Sequence, residues 1–458
     1  MSALPSRGNL ATFLAAAHER VAAGAYALRG PPLRPHGGLC AALEAHRMPI
    51  IAELKPRSPT EGRLLHQPAG DVLAGYRQGG AAALSVLADA DAFDGSPALV
   101  RQAHEQGLPI LFKDFVVDET QVVCAAHCGA SAILLIERAF GGQAQRREAL
   151  VECAHDAGLE VLLELFDAAD WESAKKSKAD LFGVNARDLD SLVVDAAGSL
   201  RLVATVAKER LVVALSGIDG RSSHRRARAA GACSVLVGTA LLRSSDPALA
   251  LRALQRPLAK VCGLRTAADV QEAAASGADL AGFVVGSPTS PRDLLPSQAQ
   301  ALVAQAAELG LRTVLVTRNG DWQQVLDWCR LVRPDFLQLH GAIPGREWIQ
   351  SLAAIPVHLL MAVGPDQPWP ADASGVVLDT TSEGGSGRAH DWQAARPLFA
   401  QAPDVLSFVA GGLDASNVAA ALHSTLAWGA DASSRLESEP GRKDPQRVAS
   451  FVKAVHTA

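Results

Sequence analysis

The runs IIAELK (residues 50–55) and ILFKDF (residues 110–115) decide how the chain is read. Each is a short aliphatic and aromatic stretch that ends in charge, Glu53 and Lys55 in one and Lys113 and Asp114 in the other. Runs that stay apolar without alternating build strands buried on both faces, as in parallel sheets. Outward from these two, the pattern recurs as ALSVL (83–87), AILLI (132–136), VLLEL (161–165), LFGVN (181–185), VVALSG (212–217) and SVLVG (234–238). Ala-rich amphipathic stretches and glycines separate the runs, and eight parallel strands joined by right-handed helical crossovers close into a barrel. A second series follows: AKVCGL (259–264), LAGFVV (280–285), RTVLVT (312–317), FLQLH (336–340), PVHLLMAV (356–363), GVVLDT (375–380), LSFVAGG (406–412) and WGADASS (428–434). The expected fold class is α/β, two consecutive (β/α)8 TIM barrels. Residues 1–255 form the first, with extra helices ahead of its first strand, and residues 256–458 the second. The join, around Asp246 to Leu258, carries Pro247 and Pro257 and no Gly/Ser-rich spacer.

Composition agrees with this scale. A chain of 458 residues, 48% hydrophobic and 20% charged, has enough apolar material for two sizeable cores and is not a disordered chain. Lys plus Arg number 43 against 48 Asp plus Glu, a formal net charge of −5, so no global positive field holds nucleic acid or an anionic membrane. Any phosphate site must be local. Seven scattered cysteines suit a reducing compartment, and the start MSALPSRGNLATFLAAAHER lacks a signal-peptide core, so a cytoplasmic location is expected. Cys124 and Cys128 flank His127, but no second ligand pair follows, which makes them a buried structural pair and leaves the expected metal complement at none.

In a barrel of this kind the chemistry sits at the C-terminal ends of the strands. In the first series those ends carry Glu53 and Lys55, Lys113, Glu164, Asn185 and Arg187, and Ser216. Any one of them taken alone reads equally well as a structural ion pair. Two lysines and two glutamates at one mouth supply proton donors and acceptors whose pKa values tune one another, which suits carbon-skeleton chemistry without a cofactor. The turns Ser216-Gly217-Ile218 and Gly238-Thr239 follow the seventh and eighth runs, where barrels bind phosphate through backbone N–H groups.

The motifs IIAELKPRSP (50–59), LPILFKDFVVD (108–118), VLLEL, GVNARDL (183–189) and SGI resemble indole-3-glycerol phosphate synthase, in order and across the first barrel. The resemblance implies that Lys113 is the general acid at the ketone oxygen and that Glu164 stabilises positive charge on the amine and ring. It implies that Glu53, Lys55 and Asn185 orient substrate and serve the dehydration. Ser58, Pro59, Phe93, Phe115, Arg187 and Ser216 would contact substrate, and Gly217, Gly238 and Thr239 its phosphate. Two departures stand out. Leu215 occupies the position before SGI where the family writes an acid, which implies less compensated rim lysines and either a reduced synthase or a first barrel that only binds phosphate. Ala186 removes a side chain next to Asn185.

The second barrel opens with KVCGLR (260–265) and runs through SPRDL (290–294), LQLHG (337–341), VVLDTTSEGGSGRAHDW (376–392), VAGGLDASNV (409–418) and GADASSRLES (429–438). It resembles phosphoribosylanthranilate isomerase. The resemblance implies Asp379 as general acid that opens the furanose ring, Cys262 as general base at C2, and Arg292 as partner of the anthranilate carboxylate. It gives Gly385, Ser386 and Gly387, Gly411 and Gly412, and Asp431, Ser433 and Ser434 to the phosphate. His340 is expected to be a structural hydrogen bonder. Together the two resemble the bifunctional fusion of tryptophan biosynthesis, acting as a monomer on phosphorylated anthranilate derivatives, with no cofactor and no nucleic-acid or membrane partner.

Overall fold

The computed structural model describes residues 9–318, 321–341, 345–364, 367, 370, 373–379, 392, 396–400 and 405–458. All sixteen expected strands are present. In the first barrel they are β1 (Ile50–Leu54), β2 (Ala83–Leu87), β3 (Ile110–Lys113), β4 (Ala132–Ile136), β5 (Glu160–Leu165), β6 (Leu181–Asn185), β7 (Val212–Leu215) and β8 (Ser234–Val237). They pair in parallel in sequence order, and β1 closes the ring against both β2 and β8, with Ile51 opposite Ala83 and Leu236. Ile51, Leu111, Leu162, Leu181, Val213 and Leu236 belong to one buried core, each removed almost completely from water. Burial of such side chains stabilises by roughly 1.5–3 kcal/mol each. The crossover helices start where sequence provides caps: Asp118 and Gln121 form a reciprocal capping box at Glu119–His127, and Asp167 caps Ala168–Ala174.

The second ring comprises β9 (Leu258–Cys262), β10 (Leu280–Val285), β11 (Arg312–Thr317), β12 (Phe336–His340), β13 (His358–Val363), β14 (Gly375–Leu378), β15 (Leu406–Val409) and β16 (Gly429–Ala432), closed by β9 against β10 and β16. Val261, Phe283, Leu315 and Leu337 share a core with Val270, Leu302 and Phe451 of the surrounding helices. Side chains alternate along a strand, so Val261 on the helix side sends Lys260 and Cys262 inward.

Three small elements were not foreseen: hairpins Arg57–Ser58 with Gly62–Arg63 and Glu437–Glu439 with Arg442–Lys443, and a two-residue strand Asp293–Leu294 added beside β10. The chain divides into two compact units, Met1–Leu251 and Arg252–Ala458, within the helix Pro247–Gln255. No described helix is long and apolar enough to cross a membrane.

Candidate active sites

At the mouth of the first barrel, Lys113 on β3 reaches across to Glu53 on β1, Nζ to Oε2 at 2.6 Å, and Lys55 lies 3.5 Å from Oε1 of the same carboxylate. Strands β1 and β3 are not neighbours, so this bond crosses the inside of the barrel. Asn185 on β6 donates its Nδ2 to Glu164 Oε1 on β5 at 2.9 Å, while its own Oδ1 accepts the Arg187 N–H at 2.9 Å. The other oxygen of Glu164, Oε2, is buried with no hydrogen-bond partner among the described residues. Gly238 lets β8 come close: a Cβ there would stand 2.6 Å from Glu53 Oε1.

These contacts separate the two acids. Burial pushes Glu53 up, but Lys113 and Lys55 outweigh it and hold the carboxyl below its ordinary range. Burial also raises Glu164, and there Lys113 and Asn185 offset it only in part. The lysines separate as well. Burial lowers Lys55, with Lys113 and Arg187 adding repulsion, and Glu53 does not restore it. Burial acts on Lys113 in the same sense, yet Glu53 and Glu164 reverse it and the ammonium ends above its ordinary range. Compensation of Lys113 therefore comes from Glu53 and Glu164, without an acid at 215. Leu215 itself is buried in the barrel core and packs over Gly183, whose Cβ would lie 2.7 Å from Leu215 Cδ1.

Phe93 and Phe115 meet at 6.3 Å between ring centroids, and a third ring, Phe13 of the helix Asn9–Ala22, stacks on Phe115 at 4.9 Å. Sequence reading missed Phe13, which lies far from its partners along the chain. Ser58 is buried in the first hairpin and Pro59 is exposed at its tip. Arg187 donates Nη1 to the Leu192 carbonyl at 3.0 Å, closing its own loop. Ser216 and Gly217 both adopt left-handed backbone, φ 61° and 68°, and Thr239 opens the short helix Thr239–Leu242 beyond Gly238.

In the second barrel, Cys262 and Asp379 are both buried and line one cavity of about 310 Å³, together with Arg292, Gln338, His340 and Asp431. Gly411, Gly412, Ser433 and Ser434 line it too, whereas Gly385, Ser386 and Gly387 lie outside the described residues. Burial pushes the Cys262 thiol up, and Lys260 beside it offsets only part of this. Burial and the nearby Arg318 bring His340 down to about 4, so its imidazole is neutral at pH 7. It bonds Gln338 through Nε2 at 3.0 Å, as a structural hydrogen bonder would, and it also lines the cavity wall.

Two other assigned residues have charged partners within the protein. Arg292 is already paired with a carboxylate of the protein: Nε and Nη2 each donate to Glu437 at 2.7 Å, and Lys443 bonds the same acid at 2.8 Å. Asp431 lies inside the ring, its Oδ2 2.6 Å from Nζ of the fully buried Lys260. Its carboxylate therefore belongs to an ion pair, in contrast to Ser433 and Ser434 on the turn that follows. No group of three or more His, Cys, Asp or Glu fit to hold a metal occurs among the described residues.

Two closed barrels, each gathering acid and base groups at the C-terminal ends of its strands, define a chain with two (β/α)8 enzyme sites. The family model of indole-3-glycerol phosphate synthase matches residues 33–254, and that of N-(5'-phosphoribosyl)anthranilate isomerase matches residues 259–454. The tryptophan biosynthesis protein TrpCF of Salmonella typhi is 31% identical over 89% of this chain and 89% of its own length. Indole-3-glycerol phosphate synthase 2 of Streptomyces coelicolor is 40% identical over 50% of this chain and 87% of its own. Among solved structures, TrpF from Jonesia denitrificans is 33% identical, covering 43% of this chain and 96% of its own, with a TM-score of 0.37. The chain belongs to the bifunctional indole-3-glycerol phosphate synthase / phosphoribosylanthranilate isomerase family of tryptophan biosynthesis.

Proposed function

We propose that the activities are divided as residues 1–255 and 256–458, with the second barrel acting first. There Asp379 protonates the furanose oxygen of N-(5-phosphoribosyl)anthranilate, and Cys262 removes the C2 proton of the opened imine. The product is 1-(2-carboxyphenylamino)-1-deoxyribulose 5-phosphate. The observation that carries this half is the convergence of Cys262 and Asp379 on one cavity. Arg292 would reach the anthranilate carboxylate with Glu437 as its resting partner.

In the first barrel the ketone of that intermediate meets Lys113, kept protonated by Glu53, as the anthranilate ring attacks. Loss of CO2 and then of water leaves indole-3-glycerol phosphate. Glu164, with one oxygen unpartnered, faces the charge that develops on the amine and ring. Glu53, Lys55 and Asn185 orient the substrate. Phe93 and Phe115 clasp its ring, with Ser58, Pro59, Arg187 and Ser216 around it. Backbone groups at Gly217, Gly238 and Thr239 receive its phosphate. The corresponding cradle of the isomerase takes in backbone groups of residues 385–387, Gly411, Gly412, Asp431, Ser433 and Ser434. The reading takes the chain as a cytoplasmic monomer, and a net charge of −5 supports its having no nucleic-acid or anionic-membrane partner.

The test is a pair of substitutions. Cys262→Ser and Asp379→Asn should each lower isomerisation by about 10²- to 10⁴-fold, the usual contribution of a positioned acid or base. Synthase turnover of supplied intermediate should stay nearly unchanged. A variant that keeps most of its isomerase rate removes that residue from the mechanism.

A further inference from the structure

The interior of the second barrel holds an ion pair that neither stability nor the roles above explain. Lys260 and Asp431 are register partners on β9 and β16, and Cys262 follows on the same inward face of β9. A lysine with no exposed surface needs a counter-charge, and Asp431 Oδ2 supplies one at 2.6 Å. Such buried pairs are costly to desolvate, and well-packed apolar residues in their place are often as stable or more so. A barrel interior has no packing need for one.

What the pair leaves over is informative. Asp431 Oδ1 is buried and has no hydrogen-bond partner among the described residues, and Asp431 lines the same cavity as Cys262 and Asp379. Three more buried atoms without a partner among the described residues, Ser287 Oγ, Gln338 Oε1 and His340 Nδ1, belong to residues lining that cavity. Folded proteins leave few buried polar atoms unpaired, so four around one cavity mark a wall completed by a guest rich in hydroxyl groups. Asp431 is the register partner of Lys260, two residues before Cys262 on the inward face of the same strand, and this sets its carboxylate at the thiol's side of the cavity.

We propose that Asp431, fixed by Lys260, accepts a hydrogen bond from the hydroxyl on the sugar carbon that Cys262 deprotonates. The inference rests on the isomerase reading above and adds an orienting group to it. Once the furanose opens, the C1–C2 bond turns freely. A hydrogen bond from the C2 hydroxyl to Oδ1 stops that rotation with the C2–H bond aimed at the sulfur. Misplacement by about 1 Å at such a centre costs on the order of 10²-fold in rate. Lys260 acts as the positioning residue, since its ammonium holds one carboxylate oxygen and thereby aims the other.

The experiment uses the full chain and the reduced product analogue, which carries a hydroxyl at C2. Asp431→Asn should lower isomerase kcat by roughly 10- to 100-fold, weaken the analogue about tenfold, the equivalent of 1.4 kcal/mol, and leave synthase turnover intact. Should Asp431→Asn fail to fold around an unpaired Lys260, the double variant Lys260→Met/Asp431→Leu removes both charges, and it should fold yet show the same loss of kcat. A folded variant of either kind with wild-type kcat and analogue affinity overturns the proposal. Cys262→Ser separates the levels: if it abolishes isomerisation while Asp431→Asn stays fully active, this inference alone fails. If Cys262→Ser still isomerises, the functional reading fails and takes the inference with it.

Discussion

Leu215 stands where the resemblance to the synthase family implies an acid, and its surroundings offer a way for the mouth to manage without one. The side chain is absorbed into the barrel core against Gly183, and Glu53, with Glu164 behind it, keeps Lys113 charged. Residue type and strand-end position could be read from sequence because alternation sends every second side chain inward. Partners could not. The acid that occupies Arg292 is Glu437, 145 residues away, and no local pattern links them. Lys260 was within reach, since it precedes Cys262 by two residues on one strand, but its ion pair requires the barrel to close. A pH profile tests the electrostatics at this scale. Burial raises Glu164, and the Asn185 amide pulls it back by stabilising the carboxylate. If Glu164 works ionised, synthase activity falls as pH drops through its pKa. Asn185→Ala removes the lowering hydrogen bond, so the acid limb should move to higher pH for turnover of supplied intermediate. Superimposable acid limbs would take Glu164 out of that role.

Among the elements, the sixteen strands were legible because apolar runs between amphipathic stretches carry a strong signal. The two-residue hairpins were not, since Arg57–Arg63 and Glu437–Lys443 are too short to show any alternation. The leading helix Asn9–Ala22 was expected ahead of the first strand, with no contact to the mouth assigned to it. Instead it is tied down at both ends: Leu10 N–H donates to Asp190 Oδ1 after β6, and Arg20 bonds Asp89 after β2 at 2.6 Å and Asp114 after β3 at 3.2 Å. Tyr26 donates to Asp114 at 2.6 Å as well. The helix thereby brings Phe13 onto Phe115 at the synthase mouth. An aromatic pair of this kind contributes about 0.5–1.5 kcal/mol beyond its area, so Phe13→Ala should raise the synthase KM by roughly 2- to 10-fold. Steady-state kinetics on supplied intermediate, with a thermal melt alongside, decides the matter. A lowered melting temperature with KM unchanged would make the ring purely structural.

On the scale of the whole molecule, each compact unit closes its own ring and carries its own set of acids and bases. The product of one reaction is the substrate of the other, so the chain should need only phosphoribosylanthranilate to make indole-3-glycerol phosphate. Fold alone would not say so, because (β/α)8 barrels host many chemistries. The specific claim is that the first barrel turns over despite Leu215, with Lys113 charged by Glu53. The purified chain supplied with phosphoribosylanthranilate, followed by product analysis and CO2 release, tests this most directly. The account predicts that the carboxyphenylamino-deoxyribulose phosphate forms and is consumed, with one CO2 released for each indole-3-glycerol phosphate. Accumulation of the intermediate without CO2, in a chain whose first barrel is folded, would contradict it.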